Sequence, residues 1–261
     1  MRVVRQFGVA APAERLPGGQ GTSWRAGALV FKPVGDEADA RWMAETLASL
    51  AQDGYRLAEP VPTRDGRWVV DGWTAARWVP GEPGPVGHWH ELFAASRAFH
   101  CAVRHVPRHA LLDRRSDWWA RADRSTWGET APPTVPALRR LRSRLLHFTR
   151  PVTVQPQLVH GDLSGNVLFH DRLPPAVLDM SPYWRPQLFA EAIIVADGLL
   201  WWGEGAELLS SAGRAGEPSW LARGLLFRLD TLGHQLASAG GKPSDDDLAS
   251  FDAALTLLET A

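Results

Sequence analysis

One stretch of the chain decides its fold: residues 158–169 read Leu-Val-His-Gly-Asp-Leu-Ser-Gly-Asn-Val-Leu-Phe. Apolar residues flank a polar turn that carries His160, Asp162 and Asn166. Ten residues after Asn166 a second apolar segment begins, and it ends at Asp179. Short apolar runs of this kind bounded by turn residues predict strands. The sequence therefore delivers an Asp, an Asn and a second Asp from two short strand-like segments.

These three polar residues match what phosphoryl transfer from a nucleoside triphosphate requires. Asp162 is the candidate catalytic base, which orients and deprotonates an acceptor hydroxyl. Asn166 and Asp179 are the candidate metal ligands, because Mg²⁺ takes oxygen ligands and binds beside phosphates. We assign His160 to the catalytic loop and expect it to brace the loop rather than react. By itself the His-Gly-Asp triplet is weak, since it also occurs by chance in strand-turn-strand segments.

A glycine-rich turn and a strand lie upstream. Residues 15–24 read Arg-Leu-Pro-Gly-Gly-Gln-Gly-Thr-Ser-Trp, and residues 27–33 read Gly-Ala-Leu-Val-Phe-Lys-Pro. Glycines let backbone N–H groups approach phosphates closely, and hydroxyls add donors. The candidate nucleotide-binding residues of this region are Gly18, Gly19, Gly21, Thr22, Ser23 and Lys32. Both features also have a purely structural explanation. The glycine-rich segment fits a plain hairpin turn, and Lys32 fits a solvated lysine at a strand end.

A helix follows the strand. Asp36 can cap a helix that runs to about residue 52, with apolar residues near one face. Glu45 lies inside this helix and is the predicted partner of Lys32. Glu37 is the second choice, because an acid in the first turn already suits the helix dipole.

A hairpin and a linker complete the N-terminal part. Segments 67–70 and 73–79 read as strands around the turn Asp71-Gly72, and the proline- and glycine-rich segment 80–85 continues neither. We therefore predict an N-terminal lobe over residues 1–82 and a C-terminal lobe over residues 83–261. Backbone groups of Arg77, Trp78 and Val79 are expected to meet the adenine edge. Helices are predicted at about 88–106, 114–124, 136–149, 187–202, 218–238 and 244–260.

With these residues in this order, the chain resembles the aminoglycoside phosphotransferase family of the protein-kinase-like superfamily. The resemblance covers nearly the whole chain. It is also similar to a narrower group of actinobacterial proteins of about this length in three segments, Gly18–Trp24, His160–Leu168 and Ser181–Pro186. The resemblance implies an α+β, bilobal fold with a small β-rich N-lobe containing one helix and a larger, mostly helical C-lobe. It also implies ATP or GTP with Mg²⁺, and a small hydroxylated acceptor.

Two positions depart from the family's pattern. The family usually places five positions between the catalytic Asp and the metal-binding Asn, whereas Asp162 and Asn166 are four apart. The family's Asp-Phe-Gly or Asp-Trp-Glu is Asp179-Met180-Ser181 here. We expect the loop to tighten at Gly165 so that Asn166 keeps its place. A misplacement near 1 Å costs on the order of 100-fold in rate, so catalytic geometry is the open question.

Composition narrows the functional classes. The net charge of −1 argues against a dedicated nucleic-acid binder, and no apolar run reaches membrane-spanning length. The single cysteine, Cys101, excludes an intrachain disulfide and suits a reducing interior, so we expect a cytoplasmic protein with this thiol buried. From Asp179 onward the chain carries 12 acids and 5 bases, a net of −7, which would suit a cationic acceptor. The alternative is that residues 245–247 only complement a helix dipole. Whether four further acids attract such an acceptor stays open: Glu191, Asp197, Glu204 and Glu207.

Three functions are compatible with these observations. The first is an ATP-dependent kinase of a small hydroxylated molecule. The second is a kinase-like nucleotide-binding or regulatory protein with little catalysis, a pseudokinase. The third is a metal hydrolase using His160 and Asp162, which lacks further ligands at usable spacing. Neither the acceptor nor the oligomeric state can be read from these motifs, since a fold does not give a substrate.

Overall fold

The structure is a computed structural model that describes residues 2–17 and 21–260. The chain divides into two compact units. The first runs to Pro83 and also takes in Leu168–Asp179, while the second comprises Gly84–Val167 and the chain from Met180 onward. The sequence assigned 168–179 to the C-terminal lobe, and strand pairing explains the difference.

The first unit contains an antiparallel sheet in the order β1-β2-β3-β5. Its strands are β1 (Glu14–Arg15), β2 (Trp24–Ala26), β3 (Leu29–Pro33) and β5 (Trp73–Arg77). Alternation along β3 turns Leu29 and Phe31 into the core and leaves Lys32 partly exposed. Helix α1 (Glu37–Ala48) begins at Asp36, whose carboxylate accepts from the N–H of Asp39 at 2.9 Å. It ends at Ala48, short of the predicted residue 52.

A second sheet of this unit has the order β4-β9-β8-β6. Its strands are β4 (Arg56–Leu57), β6 (Glu82–Pro83), β8 (Val167–His170) and β9 (Leu173–Val177). β9 pairs with β4 in parallel, and β8 pairs with β6 antiparallel. Gly81 allows this approach, because a Cβ there would lie 2.8 Å from the Cβ of Leu168. These pairings, distant in sequence, are why 168–179 belongs to the first unit.

The second unit is mostly helical, and its helices surround a two-stranded ribbon. The ribbon pairs β7 (Gln157–His160) with β10 (Pro182–Arg185) antiparallel. The helices are α2 (Trp89–Val103), α3 (Leu111–Arg114), α4 (Trp118–Thr126), α5 (Arg139–Phe148), α6 (Gln187–Trp201), α7 (Ala206–Ala212), α8 (Pro218–Ala239) and α9 (Asp245–Thr260). The sequence missed α3 and α7, which are too short for a periodic pattern. The predicted fold class, α+β with a β-rich first part and a mostly helical second part, is confirmed.

Helices α6 and α8 form the centre of this unit. Every residue of α6 from Phe189 to Leu200 is buried, as expected for a helix that is apolar on all sides. Phe189 and Phe227 meet edge to face with ring centroids 5.8 Å apart. The backbones approach so closely that a Cβ at Gly224 would lie 2.3 Å from the carbonyl oxygen of Ala192.

Two further expectations can be compared with the structure. Cys101 is exposed on α2 rather than buried, because it lies on the face of the helix opposite the buried Phe99 and Val103. None of the described helices is both long enough and apolar enough to cross a membrane.

Substituting Gly224 by alanine tests the close packing of α6 against α8. In an exposed helix this change stabilises by about 1 kcal/mol. Here the added methyl meets the backbone of Ala192, so we expect Gly224→Ala to lower the free energy of unfolding by about 1–3 kcal/mol. Urea unfolding measures it. Gly165→Ala is the control, since a Cβ there meets no atom within 4 Å. A Gly224→Ala protein as stable as the parent would contradict the described packing.

Candidate functional site

The catalytic loop follows β7 at a glycine that cannot be replaced. A Cβ at Gly161 would lie 2.5 Å from the ring of Tyr183, a residue of β10 buried beneath the loop. The N–H of Gly161 donates to the carbonyl of Ser181 at 3.0 Å and extends the ribbon by one bond. The start of the loop is thereby fixed to the core of the helical unit.

His160 supports this loop from inside the core. Its side chain is fully buried, and its Nδ1 accepts from the N–H of Asp162 at 3.1 Å. Its own N–H donates to Nε2 of His100 in α2 at 3.0 Å. Both contacts hold backbone groups in place, which is a bracing role.

His100 is a residue that sequence reasoning passed over. Burial, with a smaller contribution from the neighbouring His160, lowers its pKa to about 3. Because Nε2 accepts a hydrogen bond, the ring is neutral with its proton on Nδ1, 3.2 Å from Oγ of Ser96. A histidine inside an otherwise apolar helical stretch was the only signal in the sequence.

Asp162 has a half-exposed carboxylate that protein donors hold on both oxygens. Nη2 of Arg228 donates to Oδ1 at 2.9 Å, and Nδ2 of Asn166 donates to Oδ2 at 2.9 Å. The carboxylate side chain remains 42% exposed. It is therefore fixed in direction and still accessible to a substrate hydroxyl.

Asn166 closes the short loop. Its N–H donates to the carbonyl of Leu163 at 2.9 Å, and its Nδ2 also donates to the carbonyl of Asp162 at 2.7 Å. As expected, the loop tightens at Gly165, because the backbone bond from Asn166 to Leu163 closes a turn whose central residues are Ser164 and Gly165. The Asn166 side chain adds a second bond across the same loop, and its Oδ1 is the oxygen that could face a cation.

A buried charged cluster lies behind Asp162. Arg228 of α8 donates through Nε and Nη2 to Asp197 of α6 at 2.6 and 2.7 Å, and Ser164 donates to the same carboxylate. Burial raises the pKa of Asp197, against the effect of Arg228 and Ser164. Burial disfavours the charge on Arg228, but Asp197 and Asp162 outweigh it and raise its pKa. Sequence reasoning missed Arg228, although a charged residue within the otherwise apolar run 224–229 was a visible signal.

Aromatic surface adjoins this cluster. Trp201 and Trp202 are 59% and 38% exposed, so neither belongs to the core. The Trp201 ring centroid lies 5.1 Å from the guanidinium carbon of Arg228. Of the acids left open, Glu191 and Asp197 are buried in ion pairs with arginines, and Glu204 accepts from Nε1 of Trp89 at 2.6 Å. Glu207 is exposed.

The segment after Asp179 is held rigidly. In Ser181–Pro186 two prolines flank the buried Tyr183, and Arg115 donates to the carbonyl of Pro182 at 2.8 Å. Arg185 binds Asp123 through Nε at 2.9 Å and Nη2 at 2.8 Å. This segment is therefore anchored along its length in the helical unit.

In the first unit Lys32 forms an ion pair with Asp179, and both side chains are partly exposed. The predicted partner Glu45 is exposed on α1, and the prediction of a Lys32–Glu45 pair is wrong. The face of α1 that packs inward carries Ala44 and Leu47, and Glu45 is rotated away from it. Glu37, the second choice, is also exposed.

The predicted glycine loop is described only in part. Gly18 and Gly19 lie outside the described residues. Gly21 adopts a φ of +64°, and its carbonyl accepts from Nε of Arg15 at 2.6 Å. Thr22 and Ser23 follow at the surface, and the carbonyl of Ser23 accepts from the N–H of residue 16 at 2.9 Å. Their role in binding a nucleotide stays a prediction.

Two of the three predicted hinge residues already use their backbone N–H groups in hydrogen bonds. The N–H groups of Arg77 and Trp78 donate to the carbonyls of Glu59 and Ala28, each at 2.8 Å. The side chain of Arg77 also pairs with Glu59 at 3.0 Å. Among the hydrogen bonds of the described residues, none uses the N–H of Val79. Of the three residues, Val79 is therefore the one whose N–H an adenine could use.

The predicted metal ligands are oxygen donors. A group of three or more His, Cys, Asp or Glu side chains able to hold a metal does not occur in the described part of the chain. Asn166 and Asp179 each carry a side-chain oxygen, the atom type that Mg²⁺ prefers, and their role as metal ligands stays a prediction. The hydrolase interpretation, which needs a cluster of protein ligands, gains no support.

Comparison with known proteins gives the fold. No family model and no curated protein sequence matches the chain. Spectinomycin phosphotransferase APH(9)-Ia, solved with ADP and spectinomycin, matches with a TM-score of 0.61 at 14% identity over 99% of this chain and 95% of that one. The chain has the protein-kinase-like fold of the aminoglycoside phosphotransferases.

Two further solved structures share this fold. A thermostable mutant of aminoglycoside phosphotransferase APH(4)-Ia, solved with AMP-PNP and hygromycin B, gives a TM-score of 0.61 at 15% identity over 99% and 97% of the two chains. Choline kinase from Streptococcus pneumoniae gives 0.57 at 10% identity over 100% and 97%. The match in fold therefore extends over both units of the chain.

The buried His100 predicts a pH dependence of stability. Its folded-state pKa lies below the ordinary 6.5, so between these values the unfolded chain binds one more proton. Stability then falls as the pH drops from about 6.5 toward about 3. From pH 7 to pH 5 this group should remove about 2 kcal/mol from the free energy of unfolding.

Urea unfolding at both pH values, for wild type and His100→Gln, measures this contribution. Glutamine can accept from the N–H of His160 and does not titrate. The variant should lose about 2 kcal/mol less than the wild type over this interval. Equal losses in the two proteins would show that His100 is not held neutral.

Proposed function

We propose that this chain is an ATP-dependent phosphotransferase that acts on a hydroxyl group of a small molecule. The observation that carries the proposal is the half-exposed carboxylate of Asp162, fixed on both oxygens within the catalytic loop of a phosphotransferase-like fold. The structural neighbours act on small molecules by name: spectinomycin phosphotransferase, aminoglycoside phosphotransferase and choline kinase. Use of ATP agrees with the cytoplasmic location predicted from the single cysteine.

Asp162 acts on the acceptor. Its carboxylate orients the acceptor hydroxyl and takes its proton as the oxygen attacks the γ-phosphorus of ATP. A new oxygen–phosphorus bond forms, and the bond from the γ-phosphorus to the bridging β,γ-oxygen breaks, which leaves ADP. In this chemistry positioning contributes more than basicity. A carboxylate held by Arg228 and Asn166 is suited to that task.

Lys32, Asn166 and Asp179 act on the nucleotide. Lys32 offers a positive charge to phosphate oxygens, and the glycine loop with Thr22 and Ser23 offers further donors. Asn166 and Asp179 are the proposed ligands of Mg²⁺, which when bound neutralises the developing phosphate charge. GTP carries the same phosphates, so the hinge around Val79 decides between the bases.

The acceptor is proposed to lie against the exposed ring of Trp201, which contacts the arginine that holds Asp162. An exposed aromatic face suits the apolar side of a sugar or aminocyclitol ring. The net charge of the chain after residue 179 is not all available to attract a cationic acceptor. Arg97 neutralises Glu191, and Arg228 neutralises Asp197. Of the four acids Glu191, Asp197, Glu204 and Glu207, only Glu207 is exposed.

One observation favours a second function, a kinase-like nucleotide-binding protein with weak catalysis. Protein donors engage both oxygens of Asp162, and the Asn166 amide is tied to the loop. An acceptor hydroxyl must share an oxygen with one of these donors. The two functions differ in turnover and agree in nucleotide binding.

Nucleotide binding can be tested through the lysines, because Lys32 and Lys242 are the only two in the chain. Saturation with MgATP at a hundredfold excess over Kd should raise the free energy of unfolding by about 2.7 kcal/mol. MgATP should also protect Lys32, and not Lys242, from an amine-acylating reagent, as read by peptide mass spectrometry.

Matched variants complete this test. Lys32→Met should weaken the stabilisation by MgATP, while Lys242→Met should keep it in full. If saturating MgATP neither stabilises the wild type nor protects Lys32, both proposed functions fail.

Turnover separates the kinase from the weak binder. The wild type is assayed for ADP release against pooled sugars, aminocyclitols, amino alcohols and antibiotics. Asp162→Asn should bind MgATP nearly as well and lower the acceptor-dependent rate by roughly 100- to 10,000-fold, the usual effect of a positioned acid–base group. Asp171→Asn, an exposed carboxylate in the turn between β8 and β9, serves as the charge-matched control. Equal rates for wild type and Asp162→Asn would identify the protein as the weak binder.

A further inference from the structure

We propose that Arg228 is the positioning residue of the catalytic loop and that it replaces the geometric constraint that the shortened loop lacks. This inference rests on the proposed phosphotransferase function. Arg228 would act through Asp162 and would not touch the reacting atoms.

One guanidinium joins the catalytic carboxylate to the centre of the helical unit. Arg228 donates from Nη2 to Asp162 at 2.9 Å and from both Nε and Nη2 to Asp197. Asp197 and Arg228 belong to α6 and α8, whose backbones cross closely one turn earlier at Gly224. Asp162 is therefore held relative to the most tightly packed helices of its unit.

The same cluster holds the loop at a second point. Ser164 donates its hydroxyl to Asp197, and the intervening Leu163 is 1% exposed. Asp162 and Ser164 are thus anchored on either side of a buried leucine. The loop needs these anchors because its closing turn, from Leu163 to Asn166, is short and made of local bonds.

The burial of two opposite charges keeps Arg228 in one orientation. The side chains of Arg228 and Asp197 are 4% and 2% exposed, and a buried charge without its partner is strongly destabilising. Arg228 cannot turn away from Asp197, so the direction of the second N–H of its Nη2 is fixed. Asp162 lies at the accessible end of this chain of contacts and receives that donor.

A second cluster of the same composition provides the matched control. Arg142 binds Asp230 through Nε and Nη2 at 2.9 and 3.2 Å, and Ser125 donates to Asp230 at 2.6 Å. Asp230 lies on α8 only two residues from Arg228 and is 1% exposed. Asp230 and Ser125 are buried in the same unit, and Arg142 is partly buried with an 18% exposed side chain. The described bonds of this Arg–Asp–Ser cluster do not include the catalytic loop.

The experiment compares Arg228→Met with Arg142→Met in the full chain. Both variants remove one arginine from a buried Asp–Ser pair, so both should lose stability. Only Arg228→Met should lower kcat, on the order of 100-fold for a displaced catalytic group, with the Kd for MgATP within about twofold of the wild type. Only Arg228→Met should speed amide hydrogen exchange in residues 161–166, on the order of tenfold or more, as expected for local opening.

The outcomes decide separately on the inference and on the function. If Arg228→Met and Arg142→Met show the same kcat and the same exchange in residues 161–166, the inference fails. If the wild type transfers no phosphoryl group to any acceptor, the proposed function fails, and exchange alone decides whether Arg228 holds the loop.

A conservative variant covers the case in which Arg228→Met does not fold while Arg142→Met does. Arg228→Lys keeps the charge and loses the geometry that reaches two carboxylates at once. A reduced kcat, or faster exchange in residues 161–166, supports the inference. Wild-type values for both overturn it.

Discussion

The candidate site depends on a buried positive charge that has to be neutralised. The guanidinium of Arg228 lies among apolar helices. An unpaired ion there would destabilise the fold by far more than a single hydrogen bond stabilises it. Asp197 supplies the compensating charge, and Asp162 shares it at the accessible edge. The direction of the catalytic carboxylate is thus a consequence of how α6 and α8 pack, and not of the loop sequence alone.

Sequence reasoning succeeded where the cause was local. The polar turn between apolar segments predicted a loop between β7 and β8, and the regular apolar pattern of α2, α6 and α8 predicted helices near their observed bounds. The cap at Asp36 and the tight turn at residues 71–72 follow from single residues whose preferences are strong. The α+β fold could therefore be inferred from the sequence alone.

Sequence reasoning failed where the interacting residues are distant in sequence. Arg228 stands 66 positions from Asp162, and no local pattern connects them. The partner of Lys32 depended on which face of α1 packs inward, and a rotation of one residue placed Glu45 in solvent. The pairing of β9 with β4 joins segments more than a hundred residues apart, so the assignment of 168–179 to a unit could not be read from composition. Each failure concerns geometry set by tertiary packing rather than residue type.

The anchored segment from Ser181 to Pro186 has a consequence for control of the protein. Many protein kinases are switched by a loop at this position that moves when it is phosphorylated. Here the one tyrosine of the segment is buried under Gly161, so a modifying enzyme cannot reach it. Arg185 is already neutralised by Asp123 and Glu129, so it is not free to bind a new phosphate. The proposed phosphotransferase would therefore lack a tyrosine switch at this position. Its output would follow the concentrations of its two substrates and the amount of protein that the cell makes.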